Sequence, residues 1–137
     1  MASGDNEDRP AGIEMREAHF PSRAPIDAYG NGGFRFADMS HRGSILCLPD
    51  GIHSWNVEKA GDLDVDAFAP VLGQAGQVEI LLCGMGKEIV PLQPQWRQAL
   101  REHGIQADAM TTGAAVRTFN VLLAEGRAVA AALIAVD

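Results

Sequence analysis

The chain has 137 residues, of which 47% are hydrophobic and 21% are charged, and its formal net charge is −7. A chain of this length forms one domain that buries about two thirds of its unfolded surface, so it needs neither a disulfide nor a metal for stability. The acidic balance argues against nucleic-acid binding through a broad basic face. Apolar runs stay well short of the roughly 20 residues of a membrane-spanning helix.

The beginning of the chain differs in composition from the rest. Residues 1–17 are polar, charged and interrupted by proline and glycine, which predicts a flexible acidic arm ahead of a single domain at residues 18–137. This arm lacks the apolar segment of a secretory signal, so the expected compartment is the cytoplasm.

Cysteine and histidine do not occur at metal-binding spacings, so we predict no metal site and no cofactor. Cys47 and Cys83 stand inside apolar runs and are expected to be buried free thiols. Cys83 also precedes a glycine-containing loop with Lys87, which makes it the one candidate for an activated thiol.

The first half of the domain is predicted to consist of strands. Residues 31–33, Asn-Gly-Gly, favour a hairpin turn between two short strands. Residues 43–48 and 52–57 predict two further strands, joined by a turn with the sequence Pro-Asp-Gly.

The apolar period then changes from that of a strand to that of a helix. A helix is predicted to begin at Asp62 or Asp64 and to end near Gly73 or Gly76. Pro70 lies inside this segment, so the helix is expected to be shortened or kinked there.

The second half alternates strands and helices. Strands are predicted at residues 78–83, 105–110 and 127–136, and helices at 94–102 and from 111 to a glycine cap at 126. This alternation predicts a layered α/β domain with a largely parallel sheet flanked by helices.

Two glycine-containing loops, at residues 84–87 and 111–115, follow strands of this sheet and are expected at one edge of it. The second loop opens a helix, whose first N–H groups and dipole attract anions. The sequence therefore predicts a site for an anionic ligand between the loops. Its candidate residues are Gly84, Gly86, Lys87, Thr112, Gly113, Ala114, Arg117 and Asn120.

The same residues also have a purely structural interpretation. The glycines would allow tight turns and close packing of helix on sheet, and the threonine before the helix would be a cap. Arg117 and Asn120 would then bind loop carbonyls and hold the helix. No dinucleotide fingerprint, P-loop or nucleophile elbow is present, so no catalytic residue is assigned.

The same stretch of chain carries a family resemblance. The block Thr-Gly-Ala-Ala-Val-Arg-Thr-Phe-Asn at 112–120, with residues 125–127, 103–105 and the glycines of 84–86, resembles the signature of the Mth938-like family. Pro49-x-Gly51 with Trp55 also matches, and the resemblance extends over residues 20–136. Family members include the mitochondrial complex I assembly factor 3 and an adipogenesis-associated Mth938-domain protein.

The resemblance implies a three-layer α/β domain with a mixed, largely parallel central sheet, in a bacterial stand-alone protein of unknown function. It further implies a non-enzymatic binding or assembly-factor-like module whose partner is another protein. The expected partner surface includes Trp55, Tyr29 and the acidic arm. The alternative is a small-molecule enzyme or sensor that binds an anionic ligand between the two loops. The chain does not specify an oligomeric state.

The chain departs from the family pattern in three places. Relatives often have an acidic residue in place of Thr111, a cysteine in place of Val116 and a smaller residue in place of Met85. A thiol at position 116 is therefore not essential to this protein, and the Met85 side chain is expected to close part of the predicted pocket.

Overall fold

A computed structural model describes residues 20–137, so the predicted arm at residues 1–17 lies outside the described residues. The strands are β1 Ala28–Gly30, β2 Gly33–Phe36, β3 Met39–Arg42, β4 Ile45–Leu48, β5 Gly51–Ser54, β6 Ile80–Gly84, β7 Gln106–Met110 and β8 Val129–Leu133. The α-helices are α1 Ala69–Leu72, α2 Pro94–Arg101 and α3 Thr112–Ala124.

Five strands form the central sheet in the order β5-β4-β8-β6-β7. The pairings β6–β8 and β6–β7 are parallel, whereas β4–β5 and β4–β8 are antiparallel. The last strand of the chain thus inserts between β4 and β6 and joins the antiparallel half to the parallel half. This arrangement confirms the predicted α/β class and the mixed sheet.

A second, three-stranded antiparallel sheet has the order β1-β2-β3 and is called here the small sheet. Its first hairpin confirms the turn predicted at residues 31–33, where Asn31 and Gly32 have φ angles of 54° and 79°. Positive φ at both central residues matches the twist of a two-residue hairpin. Strand β3 was not predicted, because its sequence, Met-Ser-His-Arg, has little apolar character.

The central sheet is covered on both faces, and alternate residues of each strand point to opposite layers. Leu46, Leu81 and Ala132 belong to one buried cluster, which includes residues of α1 and α2. Ile45 and Leu82 belong to the other cluster, which includes residues of α3 and the small sheet. The domain therefore has three layers, with the small sheet and α3 sharing one outer layer.

The helix predicted from residue 62 is replaced by shorter elements. A 3₁₀ turn at Val65–Phe68 leads into α1, which has only four residues. Asp64 caps the 3₁₀ turn by accepting a hydrogen bond from the backbone N–H of Ala67 at 3.0 Å. Pro70 occupies the first turn of α1, where its missing N–H costs no hydrogen bond.

Phe68 provides a test of the packing between α1 and the sheet. Its ring is 1% exposed, and its centroid lies 6.1 Å from the ring centroids of both Trp55 and Trp96. We expect Phe68→Ala to lower the free energy of unfolding by about 3–5 kcal/mol, because it leaves a cavity between two aromatic rings.

Urea denaturation measures this loss. The control is Val65→Ala in the same 3₁₀ turn, where the side chain is 43% exposed. The control should change stability by about 0.5 kcal/mol or less. Equal losses for the two variants would contradict the assigned packing.

Candidate functional site

The two glycine-containing loops meet at the side chain of Thr112, which is fully buried. The Thr112 N–H donates to the carbonyl of Gly86 at 2.9 Å, and the Gly86 N–H donates to the Thr112 hydroxyl at 3.0 Å. The same hydroxyl donates to the carbonyl of Ile134 at 2.7 Å. One side chain therefore joins the loop after β6, the start of α3 and the end of β8.

Gly84 allows α3 to approach the end of β6 closely. A Cβ atom at Gly84 would lie 2.9 Å from the Cα of Thr112 and 3.2 Å from the Cβ of Ala115. Met85 is buried beside it and donates its N–H to the carbonyl of Met110 at 2.8 Å. The space between the first loop and the helix is thus filled by protein atoms around Gly84 and Met85.

The first turn of α3 is capped and partly covered. Thr111 accepts a hydrogen bond from the N–H of Ala114 at 3.3 Å, as expected of a helix cap. The phenol of Tyr29 lies directly over Gly113, at the position that a side chain would otherwise take. Glycine at this position therefore makes room for Tyr29 from the small sheet.

The two charged candidates, Lys87 and Arg117, are both exposed. Lys87 Nζ lies 3.9 Å from a carboxylate oxygen of Asp137, and the two side chains are 67% and 97% exposed. An exposed pair of this kind contributes little to stability. Arg117 follows Gly113 by one helical turn, as predicted.

Asn120 is directed away from the loops. Its Oδ1 accepts the N–H of Ile26 and its Nδ2 donates to the carbonyl of Ile26, both at 2.8 Å. These two hydrogen bonds hold the segment before β1 against α3. This agrees with the structural interpretation, in which Asn120 binds backbone groups and holds the helix in place. The contact joins positions 94 residues apart, so the local sequence does not reveal it.

Cys83 is a buried free thiol, as predicted, and the alternative of an activated thiol is not supported. Its side chain is fully buried, and this desolvation raises the thiol pKa to about 12, although Arg97 lowers it somewhat. The thiol is therefore neutral near pH 7 and is not a competent nucleophile. Burial also raises the pKa of Cys47, and both cysteines are free, as predicted.

Nowhere in residues 20–137 do three or more His, Cys, Asp or Glu side chains assemble in a group able to hold a metal ion. No helix within that range combines the length and apolar character needed to cross a bilayer.

Trp55 is a core residue. It is 8% exposed, and its indole Nε1–H donates to the carbonyl of Ala67 at 2.9 Å. Little of Trp55 is therefore available to the predicted partner surface, whereas Tyr29 is 42% exposed.

A cleft of about 640 Å³ on the small sheet was missed by the sequence analysis. Tyr29, Arg35, Ser40 and Arg42 are among the residues that line it. Arg35 lies between two buried phenylalanines in β2. Because side chains alternate along a strand, this pattern indicates that Arg35 lies on the outer face of the small sheet. The sequence did not place Ser40 and Arg42 in this cleft, because β3, the strand that carries them, was not predicted.

Residues 26–134 match the family described as a protein of unknown function, DUF498/DUF598, and the chain belongs to this family. A solved structure described as a Mth938-like domain, from Bordetella pertussis, has a TM-score of 0.74 and 25% identity and covers 90% of this chain and 92% of its own. The recognised family and fold are thus confirmed.

Two further proteins show how widely the domain occurs. An uncharacterised protein of Rhodobacter capsulatus is 41% identical over 87% of this chain and 90% of its own length. A crystal structure titled an outer membrane protein from Bartonella henselae has a TM-score of 0.83 and 58% identity, and covers 87% of this chain and all of its own.

A named relative is the NADH dehydrogenase [ubiquinone] 1 alpha subcomplex assembly factor 3 of Mus musculus. It is 34% identical over 89% of this chain, which spans 66% of the mouse protein. This chain is therefore a domain related to a complex I assembly factor.

Thr112 allows a direct test of the junction between the loops. We expect Thr112→Val to lower the free energy of unfolding by about 1–3 kcal/mol, because the Gly86 N–H and the Ile134 carbonyl lose their buried partner. Thr118→Val, a half-buried threonine of the same helix, is the matched control and should have a smaller effect. Equal effects in urea denaturation would count against the junction.

Proposed function

We propose that the chain is a non-enzymatic protein-binding module, comparable in role to the assembly factor among its relatives. The observation that carries this proposal is the similarity to that assembly factor, which extends over 89% of this chain and so includes the sheet, α3 and the small sheet. The proposed compartment is the cytoplasm.

The position of Tyr29 supports a protein-binding role. Its ring is 42% exposed, yet its phenol rests on the backbone of α3 at Gly113. An aromatic side chain that is already held in place loses little conformational freedom on binding, and tyrosine is frequent among residues that dominate binding energies. Tyr29 is therefore the proposed centre of the partner surface.

Affinity capture of the full chain from its native cells tests this proposal. The captured protein should come from the cytoplasmic fraction and retain a specific partner through size-exclusion chromatography. We expect Tyr29→Ala to weaken retention by about 30-fold, corresponding to about 2 kcal/mol of binding free energy.

Val121→Ala is the matched control, because this side chain is 56% exposed on α3, away from the small sheet. It should leave retention unchanged, and both variants should remain folded, with a cooperative thermal unfolding transition. The proposal fails if no partner is retained, or if Tyr29→Ala and Val121→Ala behave alike.

We propose as a second candidate that the junction of the two loops binds a small anion, as a small-molecule enzyme or sensor would. The observation that favours it is the pair of exposed cations, Lys87 and Arg117, on the two elements that Thr112 joins. The thirteen-residue helix α3 would add its partial positive charge at the same end.

A thermal-shift series with inorganic phosphate, nucleotides and carboxylates tests this candidate. A ligand at 100 times its dissociation constant should stabilise the chain by about 2.7 kcal/mol. Arg117→Ala should abolish that shift, whereas Arg127→Ala, beyond the other end of α3, should retain it. A shift that survives Arg117→Ala would rule out this placement of the anion.

A further inference from the structure

We propose that the outer face of the small sheet binds an extended acidic segment of a partner protein, through Arg35 and Arg42. We call this surface the arginine face, and it consists of Ala28, Gly30, Gly33, Arg35, Ser40 and Arg42. The inference rests on the proposed protein-binding function and specifies the chemistry of the partner.

The strand register assembles the arginine face from three strands. Ala28, Arg35 and Ser40 lie opposite one another in one row across the sheet, and Gly30, Gly33 and Arg42 form a second row. The rows are two residues apart along β2, so both point to the same side of the sheet. The opposite side carries Phe34 and Phe36, which are buried in the core.

The two rows share one cleft of about 640 Å³. Gly30 and Gly33 contribute no side chain to the second row, so a bound chain would approach the backbone of the sheet there. Ala28, in the same row as Arg35, also lines this cleft. The cleft thus presents two guanidinium groups beside exposed backbone, and arginine is a residue type favoured in protein interfaces.

The charge of the cleft is opposite to that of the whole chain. Its lining includes two exposed arginines but no aspartate or glutamate, although the chain carries a net charge of −7. Arg35 Nη1 donates to the hydroxyl of Ser40 at 3.2 Å, which orients its guanidinium on the sheet. That guanidinium has further N–H donors, and carboxylates accept such donors in pairs.

The distance between Arg35 and Arg42 indicates that the partner segment is extended. Arg35 and Arg42 lie on neighbouring strands and are diagonal neighbours, so their attachment points are roughly 7–8 Å apart. Alternate side chains of an extended peptide are separated by roughly 7 Å and point to the same side. An extended segment with acidic residues at alternate positions therefore matches the two guanidinium groups.

A nucleic acid fits this face less well than a protein segment. Two guanidinium groups neutralise few phosphates, and the net negative charge of the chain repels a long polyanion. The exposed backbone at Gly30 and Gly33 suits an extended peptide, which can lie close to it.

Fluorescence anisotropy on the full chain tests the inference. The probe is a labelled nine-residue peptide with aspartate at alternate positions between valine and threonine, and its control has asparagine in place of each aspartate. We expect the aspartate peptide to bind at least about tenfold more tightly, since charge-assisted hydrogen bonds exceed neutral ones. Added salt should weaken this binding.

The double substitution Arg35→Gln and Arg42→Gln should weaken binding of the aspartate peptide at least about tenfold. Arg101→Gln removes an arginine from a separate cleft beside β7 and should have no effect. Both arginines of the face are exposed, so the variants should keep their thermal unfolding curves.

Several results would overturn the inference: equal binding of the two peptides, binding unaffected by the double substitution, or tighter binding of a single-stranded oligonucleotide. Peptide binding that appears only after residues 1–17 are deleted would also overturn it, in favour of an occupant within the chain. In the capture experiment, a partner lost with Tyr29→Ala but retained by the double variant would overturn this inference alone.

Discussion

The arrangement of the site depends on the hydrogen bonds of the buried Thr112 hydroxyl. This hydroxyl accepts from the Gly86 N–H and donates to the Ile134 carbonyl, so three elements that are remote in sequence meet at one oxygen. A buried polar group of this kind is costly when it lacks its partners. The junction therefore determines where α3 begins and how closely it approaches the sheet at Gly84.

The position of α3 in turn determines that of the small sheet. Asn120 holds the backbone of Ile26, and Gly113 leaves room for the phenol of Tyr29. One face of the small sheet then packs into the core through Phe34 and Phe36. Its other face, with Arg35 and Arg42, is left on the outside of the layer, where a partner would meet it.

The most distinctive sequence block, residues 112–120, correctly indicated the family, but its sequence left open whether it forms a ligand site or holds the fold together. Thr112, Gly113 and Asn120 have partners within the fold, at Ile134, Tyr29 and Ile26. A glycine-containing loop before a helix has the same local pattern whether it binds an anion or packs against another element. The sequence pattern therefore could not show which remote residues Thr112, Gly113 and Asn120 contact.

The sequence by itself determined the features that depend on local backbone chemistry. These are the hairpin at residues 31–33, the cap at Asp64, the buried strand β6 and the extent of α3. The tertiary structure alone decided that β8 lies between β4 and β6, that Thr112 joins the loops and that two arginines share a face. The physical reason is that turns and caps need only neighbouring residues, whereas strand order, buried hydrogen bonds and surface clefts need residues from distant parts of the chain.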